Sequence, residues 1–132
     1  MGSYAHPSDL GQPARRRVVL VVEDEVLIRG TIADHLRDGG YAVVEAANAT
    51  EALDVLASGE AVDIVFSDVQ MPGRMDGVSL ARFILEHHPG IPVLLTSGNP
   101  VPSASFIPKP YLVDDVASRI RRVLEEDRPH NA

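Results

Sequence analysis

The fold is set by the stretch Val18-Val-Leu-Val-Val-Glu-Asp-Glu25, in which five apolar residues lead directly into three acids. Four of the five apolar residues are β-branched, and the run has no polar position that would face water. Such a run is typical of a parallel strand that is buried on both faces of a sheet. Comparable runs follow at residues 41–45, 62–67 and 91–95, and a weaker run lies at 105–107. The pattern therefore predicts five strands of a buried sheet.

The segments between these runs have the periodicity of helices. Apolar residues recur every three or four positions in residues 26–37, and two glycines end that pattern. In residues 48–56, an Asn followed three positions later by a Glu resembles a capping box. Two further helices are expected at residues 76–88 and 112–126. Alternating strands and helices predict an α/β fold, a three-layer sandwich with a doubly wound five-stranded parallel sheet.

The connection before the last strand is too short for a helix of ordinary length. Only eleven residues (98–108) separate Ser97 from Lys109, and three of them are prolines. A mean helix takes about 11 residues and a strand about five, so both do not fit there with their loops. We therefore expect the fourth crossover helix to be short, with a turn or two at most, or absent.

Composition excludes several kinds of protein. The 132 residues carry 12 Lys and Arg against 19 Asp and Glu, and four of these cations and one acid lie outside residues 18–127. The remaining eight cations and eighteen acids give a charge of −10, which repels nucleic acid. The absence of cysteine excludes disulfides and thiolate sites, and no apolar run approaches the ~18–20 residues of a membrane span. We expect one domain at 16–127 between flexible tails at 1–15 and 128–132.

Polar side chains cluster where the predicted strands end. Glu23 and Asp24 follow the first run, Asp68 follows the third, and Lys109, the single lysine, follows the fifth. Because ligands bind beyond the carboxyl ends of parallel strands, these acids converge if the first and third strands are neighbours. Three such acids need a proton, a metal or a fixed cation, and oxygen ligands favour Mg²⁺. With a hydroxyl from the end of the fourth run, they form a candidate phosphoryl-transfer site.

Several motifs, taken in order, resemble the response regulator receiver domain of two-component signalling: Val-Val-Glu23-Asp24-Glu25, Ser67-Asp68-Val-Gln70-Met-Pro72, Met75-Asp76-Gly77, Pro92-Val-Leu-Leu-Thr-Ser97-Gly98 and Lys109-Pro110. The resemblance covers about residues 17–127 and implies the strand order 2-1-3-4-5. It implies that Asp68 is the phosphoacceptor, with Glu23 and Asp24 as the acidic pair. The implied Mg²⁺ ligands are Asp24, Asp68 and the backbone carbonyl of Gln70. Glu23 is implied to act on the metal through water.

The same resemblance assigns the polar and aromatic positions near the last two strands. Ser97 matches the switch hydroxyl by its distance from Pro92, and Thr96 is the alternative. Lys109 matches the lysine that binds the phosphate. Phe106, three residues earlier, matches the aromatic residue that moves on activation.

Gln70 and Asn99 fall at positions where the family tunes the lifetime of the phosphoryl group.

The chain departs from the family pattern in three places. The loop after Pro72 is one residue longer than the commonest spacing, and Glu23 replaces the commoner Asp of the acidic pair. The short fourth crossover is the third departure, on a face that usually carries dimerisation and output.

We therefore expect a phosphoacceptor signalling switch rather than an enzyme. A histidine kinase or a histidine phosphotransfer protein would donate a phosphoryl group to Asp68 with Mg²⁺ as cofactor, and a downstream protein would receive the signal. The domain is expected to be cytoplasmic and a monomer or weak homodimer, with no nucleic-acid or membrane partner.

Two other functions stay open. One is a Mg²⁺-dependent phosphohydrolase with an aspartyl nucleophile, which steady turnover of small phosphate esters would identify. The other is a receiver-like adaptor that signals without phosphate, for which partner binding would be unchanged in Asp68→Ala.

Overall fold

A computed structural model describes residues 15–99 and 105–126 of the chain. Its strands are β1 (Val18–Val22), β2 (Ala42–Ala46), β3 (Ile64–Asp68), β4 (Val93–Ser97) and β5 (Phe106–Pro108). Its helices are α1 (Val26–Asp38), α2 (Ala49–Ala57), α3 (Gly77–His87) and α4 (Val113–Glu126). The strand pairs are parallel, and their order across the sheet is β2-β1-β3-β4-β5. The expected α/β class and the order 2-1-3-4-5 are both confirmed.

Four of the five strands begin one or two residues later than the apolar runs that predicted them. β3, for example, begins at Ile64, because Val62 is already buried in the core before its backbone enters the ladder. β3 and β4 also end one and two residues beyond their apolar runs, so Asp68 is the last residue of β3 itself, and Thr96 and Ser97 belong to β4. The ends of the strands, and not only the loops after them, therefore carry the polar side chains of interest.

Alternate residues of the central strands supply two cores, one on each face of the sheet. Val19 and Val21 of β1 pack with Phe66 of β3 against α1 and α4. Leu20 and Val22 pack on the opposite face against α2 and α3. All of these side chains are buried, and each contributes about 1.5–3 kcal/mol of burial free energy. Because both faces are covered, β1 has no polar position, which explains its continuous apolar run.

Side-chain caps fix the starts of α2 and α3. The Oδ1 atom of Asn48 accepts the N–H of Glu51 (2.9 Å), and Oε1 of Glu51 accepts the N–H of Ala47 (2.7 Å). The expected capping box is present, with its return bond one residue earlier than the usual position. At α3, Oδ1 of Asp76 accepts the N–H of Ser79 (2.8 Å). These bonds pair N–H groups that a helix start otherwise leaves without partners.

Eight residues, 98–105, connect β4 to β5. Of these, residues 98, 99 and 105 are not helical, and residues 100–104 lie outside the described part of the chain. Because a typical helix takes about 11 residues, this connection has no room for one of ordinary length. The expected reduction of the fourth crossover helix is therefore built into the chain length. None of the four described helices is long and apolar enough to cross a bilayer.

Arg15 is attached to the amino edge of the sheet, although the sequence placed it in the tail. Its two terminal nitrogens donate to the two carboxylate oxygens of Asp63 at 3.2 and 3.0 Å. Arg17 lies 3.8 Å from the same carboxylate, and the N–H of Val18 donates to it at 2.7 Å. The folded domain therefore includes Arg15. The rest of the two expected tails, residues 1–14 and 128–132, lies outside the described residues.

Opposing effects act on the pKa of Asp63. Burial raises this pKa, but the hydrogen bonds from Arg15 and the Val18 N–H, with the charges of Arg15 and Arg17, lower it below its ordinary value. An acid with a lowered pKa stabilises the folded state above its unfolded pKa, and this stability is lost as the pH falls through the folded pKa. Asp63 therefore fastens the start of β1 to the chain before β3 near neutral pH.

We expect Asp63→Asn to lower the free energy of unfolding by about 1–2 kcal/mol near pH 7, because charge-assisted hydrogen bonds are weakened. The difference from the wild type should shrink as the pH falls below the ordinary pKa of an Asp side chain, about 3.9, and through the lowered folded pKa of Asp63. Urea unfolding at pH 7 and across this acidic range measures both effects. Asp54→Asn on the exposed face of α2 is the matched control. A difference for Asp63→Asn that does not change with pH would contradict this role.

Candidate functional site

The carboxyl ends of β1 and β3 bring three acids together. The two strands are neighbours, with Val22 opposite Ser67, so Glu23 and Asp24 leave β1 beside Asp68. One carboxylate oxygen of each acid lies within 4.8 Å of the corresponding oxygens of the other two. Glu23 and Asp68 are 4% and 5% exposed, whereas Asp24 is open to solvent. The strand order thus creates an acidic pocket with two nearly buried carboxylates.

Lys109 brings a positive charge into this pocket. Its Nζ lies 2.8 Å from Oδ2 of Asp68. The end of β5 carries the lysine there, and the N–H of Lys109 donates to the carbonyl of Ser97 at the end of β4 (2.9 Å). The second oxygen of Asp68, Oδ1, accepts the N–H of Gln70 (3.1 Å). Both oxygens of Asp68 are therefore held, and the plane of its carboxylate is fixed.

Glu23 is strongly perturbed by its surroundings. Its Oε2 accepts the N–H of Glu25 at the start of α1 (3.0 Å). Burial raises the pKa of Glu23 to about 7, and the carboxylates of Asp68 and Asp24 add to this rise, while the Glu25 N–H and Lys109 oppose it. One ammonium group therefore does not balance the three acids.

The donors in this pocket fit a hard divalent cation. All three are carboxylate oxygens, and they share one space next to the solvent-exposed Asp24. Mg²⁺ is usually held by one or two carboxylates and keeps several of its waters, so a partly open pocket of this kind suits it. A divalent cation would also supply the positive charge that Lys109 alone does not provide. The arrangement can therefore bind a cation and a phosphate oxygen side by side.

The two hydroxyls at the end of β4 have different partners. The buried Thr96 donates its hydroxyl to the carbonyl of Ile107 in β5 (3.0 Å). The Oγ of Ser97 accepts the N–H of Asn99 (3.1 Å), and its own hydrogen has no partner among the residues that the structure describes. The Thr96 hydroxyl is therefore used in joining β4 to β5, and the Ser97 hydroxyl stays available to a ligand.

Gln70 and Phe106 differ in how directly they belong to the pocket. Gln70 is exposed, and its backbone N–H contacts the carboxylate of Asp68. Phe106 is half-buried in β5, opposite Leu95 of β4. The contacts of the described residues thus tie Gln70 to the pocket itself, and Phe106 to the strand that carries Lys109.

Tyr111 is a pocket residue that the motifs did not identify. An open cavity of about 470 Å³ is lined by Glu23, Ile28, Lys109, Pro110 and Tyr111. The tyrosine ring packs edge-on against Phe66, with 6.2 Å between ring centroids. Burial raises the pKa of Tyr111 to about 12, and the negative Glu23 and Asp68 add to this rise, so its hydroxyl stays protonated at neutral pH. Its position directly after Lys109-Pro110 was the available signal.

The start of α3 packs directly against the backbone of Asp68. The N–H of Gly77 donates to the carbonyl of Val69 (2.8 Å). A Cβ at position 77 would overlap the carbonyl oxygen of Asp68 and lie 2.8 Å from Cα of Val69. Glycine is therefore required by close approach of two backbones. From the sequence alone Gly77 was expected only to start a helix, because this contact depends on how α3 packs.

Comparison with known proteins agrees with the fold. The family profile described as the response regulator receiver domain matches residues 19–107. The chain belongs to this family. Receiver domains are signalling modules of two-component systems, which respond to histidine kinases, and they depend on Mg²⁺ in general. The acidic pocket of this receiver domain is built from donors that suit that requirement.

The receiver domain is similar to parts of larger signalling proteins. It is 38% identical over 119 residues to the sensor kinase CckA of Brucella abortus (strain 2308), covering 82% of this chain and 12% of that protein. It is 30% identical over 131 residues to the DNA-binding transcriptional regulator NtrC of Escherichia coli (strain K12), covering 89% of this chain and 28% of that protein. The chain therefore spans less than a third of either relative.

Solved structures show the same fold. The receiver domain of the hybrid histidine kinase CckA matches with a TM-score of 0.72 and 36% identity, covering 81% of this chain and 98% of that chain. A CheY-like response regulator receiver domain protein from Methanospirillum hungatei JF-1 matches with a TM-score of 0.78 and 24% identity, covering 86% of this chain and 97% of that chain. The second similarity concerns the fold alone.

We expect Gly77→Ala to lower the free energy of unfolding by about 1–3 kcal/mol, because the added methyl group displaces the Asp68 backbone. Urea unfolding measures the loss, and the amide resonances of Asp68 and Val69 report the displacement. Gly30→Ala in α1 is the matched control, since its Cβ meets nothing within 4 Å. That variant should gain up to about 1 kcal/mol from helix propensity. Wild-type stability and unchanged resonances in Gly77→Ala would contradict the close approach.

Proposed function

We propose that this receiver domain is a phosphoacceptor switch, in which Asp68 takes a phosphoryl group from a phosphohistidine. The observation that supports this most is the 2.8 Å contact between Nζ of Lys109 and Asp68 within a pocket of three acids. This combination offers a carboxylate nucleophile, a cation site and an ammonium group for the phosphoryl oxygens.

Asp68 acts as the nucleophile of the transfer. The N–H of Gln70 and the ammonium group of Lys109 hold its carboxylate in one orientation, so that it meets the phosphorus in line. The bond between the carboxylate oxygen and phosphorus forms while the bond between the donor's imidazole nitrogen and phosphorus breaks. The imidazole keeps the electron pair and takes a proton from solvent, and Asp68 becomes an acyl phosphate.

Lys109 balances charge on the transferring group, and a bound Mg²⁺ would add to this balance. When bound, Mg²⁺ neutralises negative charge on the phosphoryl oxygens. We assign its protein ligands to Asp24, Asp68 and the backbone carbonyl of Gln70, with Glu23 acting through water. The convergence of the three acids supports this assignment. Lys109 moves its hydrogen bond from Asp68 to a phosphoryl oxygen as the acyl phosphate forms.

Ser97 is the hydroxyl that we assign to sensing the phosphoryl group. Its hydrogen has no partner among the described residues, whereas the hydroxyl of Thr96 is bonded to Ile107. The carbonyl of Ser97 also accepts the N–H of Lys109. A movement of Ser97 toward the phosphoryl group therefore acts on β5 as well as on β4.

An exposed apolar rim beside the pocket supports a protein as the phosphoryl donor. Val26 and Leu27 in the first turn of α1 and Leu112 before α4 are exposed, with Leu27 84% exposed. The open cavity next to Lys109 is also largely apolar, through Ile28 and Pro110. Exposed apolar patches on soluble proteins mark interaction sites. We therefore assign this rim to docking of a histidine kinase or a histidine phosphotransfer protein.

The charge of the chain supports a protein as the receiver of the signal. Eight cations and eighteen acids in residues 18–127 disfavour nucleic acid. The absence of cysteine suits the reducing cytoplasm, where we place the domain as a monomer or weak homodimer. Because each transfer ends on Asp68 itself, we attribute no turnover of free substrates to the domain.

Incubation with a small phosphodonor and Mg²⁺ should add one phosphoryl group to the intact protein, measured by mass spectrometry. Asp68→Asn should show no adduct, because the amide is not a nucleophile for this step. Asp54→Asn is the control for a change of one acid elsewhere. An adduct that persists in Asp68→Asn would exclude the proposal, and steady release of phosphate from small esters would favour a phosphohydrolase.

Leu27→Asp should slow phosphorylation by a phosphohistidine protein and leave phosphorylation by a small phosphodonor unchanged. The substitution removes apolar contact area from the rim without touching the acidic pocket. We expect about a tenfold loss in the protein-dependent rate, corresponding to roughly 1.4 kcal/mol. Leu85→Asp, an equally large change at an exposed position of α3, is the control. Equal effects of both substitutions would contradict the assigned docking surface.

A further inference from the structure

Arg29, in the first turn of α1, makes two contacts for which the proposed transfer reaction has no role. Its Nη1 donates to the carbonyl oxygen of Glu23 (2.9 Å), and its Nε donates to Oε1 of Glu45 in β2 (3.2 Å). The Arg29 side chain is only 17% exposed although it carries a full charge. The guanidinium group is therefore held in one position by two acceptors on two different elements.

The backbone of Glu23 is held from both sides. Its N–H donates to the carbonyl of Ala46 at the end of β2 (3.0 Å), and its carbonyl accepts the guanidinium of Arg29 from α1. That carbonyl lies in the rigid peptide plane that joins Glu23 to Asp24. Fixing this plane fixes the directions in which both residues leave the backbone. The contact thus sets the starting geometry of both carboxylates of the acidic pair.

The charge of Arg29 is matched outside the acidic pocket. Glu45 uses Oε1 for Arg29 and Oε2 for Arg37, which lies 3.2 Å away on the same helix. The two contacts of Arg29 go to a backbone carbonyl and to Glu45, and neither goes to a carboxylate of the pocket. Arg29 therefore acts on the pocket through backbone geometry.

The side chain of Glu25, the N-cap residue of α1, makes no cap hydrogen bond. The turn between β1 and α1 is instead held by the Glu23 side chain on the Glu25 N–H and by Arg29 on the Glu23 carbonyl. Because the three acids of the pocket repel one another when they are charged, the repulsion favours movement of this turn away from Asp68. Arg29 is the contact that opposes its displacement from the side of the helix.

We propose that Arg29 is a positioning residue, which holds the peptide between Glu23 and Asp24 so that the acidic pair is arranged for a divalent cation before the cation binds. This inference rests on the proposed function, since it concerns the same cation site. Groups behind the direct ligands typically change metal affinity by about 10–100-fold when they are removed. The expected contribution of Arg29 lies at the lower end of this range, because it acts on the backbone of one ligand pair.

The test is Arg29→Met, which keeps an unbranched apolar stem and removes both contacts. Calorimetric titration with Mg²⁺ should give a dissociation constant about tenfold higher than that of the wild type. Arg37→Met is the matched control, because it removes an arginine from the same helix and the same Glu45 but has no contact with Glu23. Its Mg²⁺ affinity should equal that of the wild type, even where its thermal unfolding midpoint falls.

Arg29→Lys keeps one ammonium group in place of the planar fork and should restore part of the affinity, since it reaches one of the two acceptors. This variant also keeps the test decisive where Arg29→Met fails to fold. Wild-type Mg²⁺ affinity in both Arg29 variants would overturn the inference, as would an equal loss in Arg37→Met. A purely structural role would lower the unfolding midpoint and leave the affinity unchanged.

The Mg²⁺ dependence of phosphorylation shows whether only the role of Arg29 is wrong or the proposed function as well. The Mg²⁺ concentration for half-maximal phosphorylation by a small donor should rise about tenfold in Arg29→Met, while the rate at saturating Mg²⁺ stays near that of the wild type. An unchanged half-maximal concentration contradicts the role of Arg29 alone. A wild-type protein that neither binds Mg²⁺ nor accepts a phosphoryl group removes the proposed function, and this inference with it.

Discussion

The repulsion among three carboxylates within 4.8 Å of one another is the constraint on which this site depends. Two unit charges about 4 Å apart repel by roughly 4 kcal/mol at an effective dielectric constant of about 20. Burial of Glu23 and Asp68 adds the cost of removing charge from water. The acids remain together because they end two adjacent strands, each buried on both faces. Packing of the sheet therefore offsets the unfavourable charge at its edge.

The repulsion is compensated to a different degree at each of the three acids. Asp68 has an ammonium group on one oxygen and a backbone N–H on the other, so its charge is compensated directly. Glu23 accepts the N–H of Glu25 and is opposed only through charge by Lys109 among the described residues, and its pKa rises to about 7. Asp24 remains in contact with solvent. This unequal compensation fixes the orientation of the Asp68 carboxylate, and it leaves the charge at Glu23 and Asp24 less fully balanced.

Features that depend on local pattern could be predicted from the sequence, whereas features that depend on packing could not. The apolar run of β1 and the position of Asp68 at a strand end follow from residue pattern, as does the cap at Asn48. The contact of Arg29 with the Glu23 carbonyl and the approach of Gly77 to Asp68 need the angles at which the helices leave the sheet. No spacing within the chain specifies those angles. The predicted starts of four strands lie one or two residues before the observed ones for a related reason. Side chains become buried before the backbone pairs with the neighbouring strand.

Because the fourth crossover is short, the position of β5 depends strongly on its pairing with β4. β5 has three residues and lies at the edge of the sheet, so its position depends on its bonds to a single neighbour. The Thr96 hydroxyl bonds to the Ile107 carbonyl, and the Lys109 N–H bonds to the Ser97 carbonyl. The lysine that compensates Asp68 is therefore held in place by the same strand pair that any movement of Ser97 would disturb. In a receiver domain with so short a connection, the positions of Lys109 and Ser97 depend on the same few hydrogen bonds, so a displacement of either strand acts on both residues.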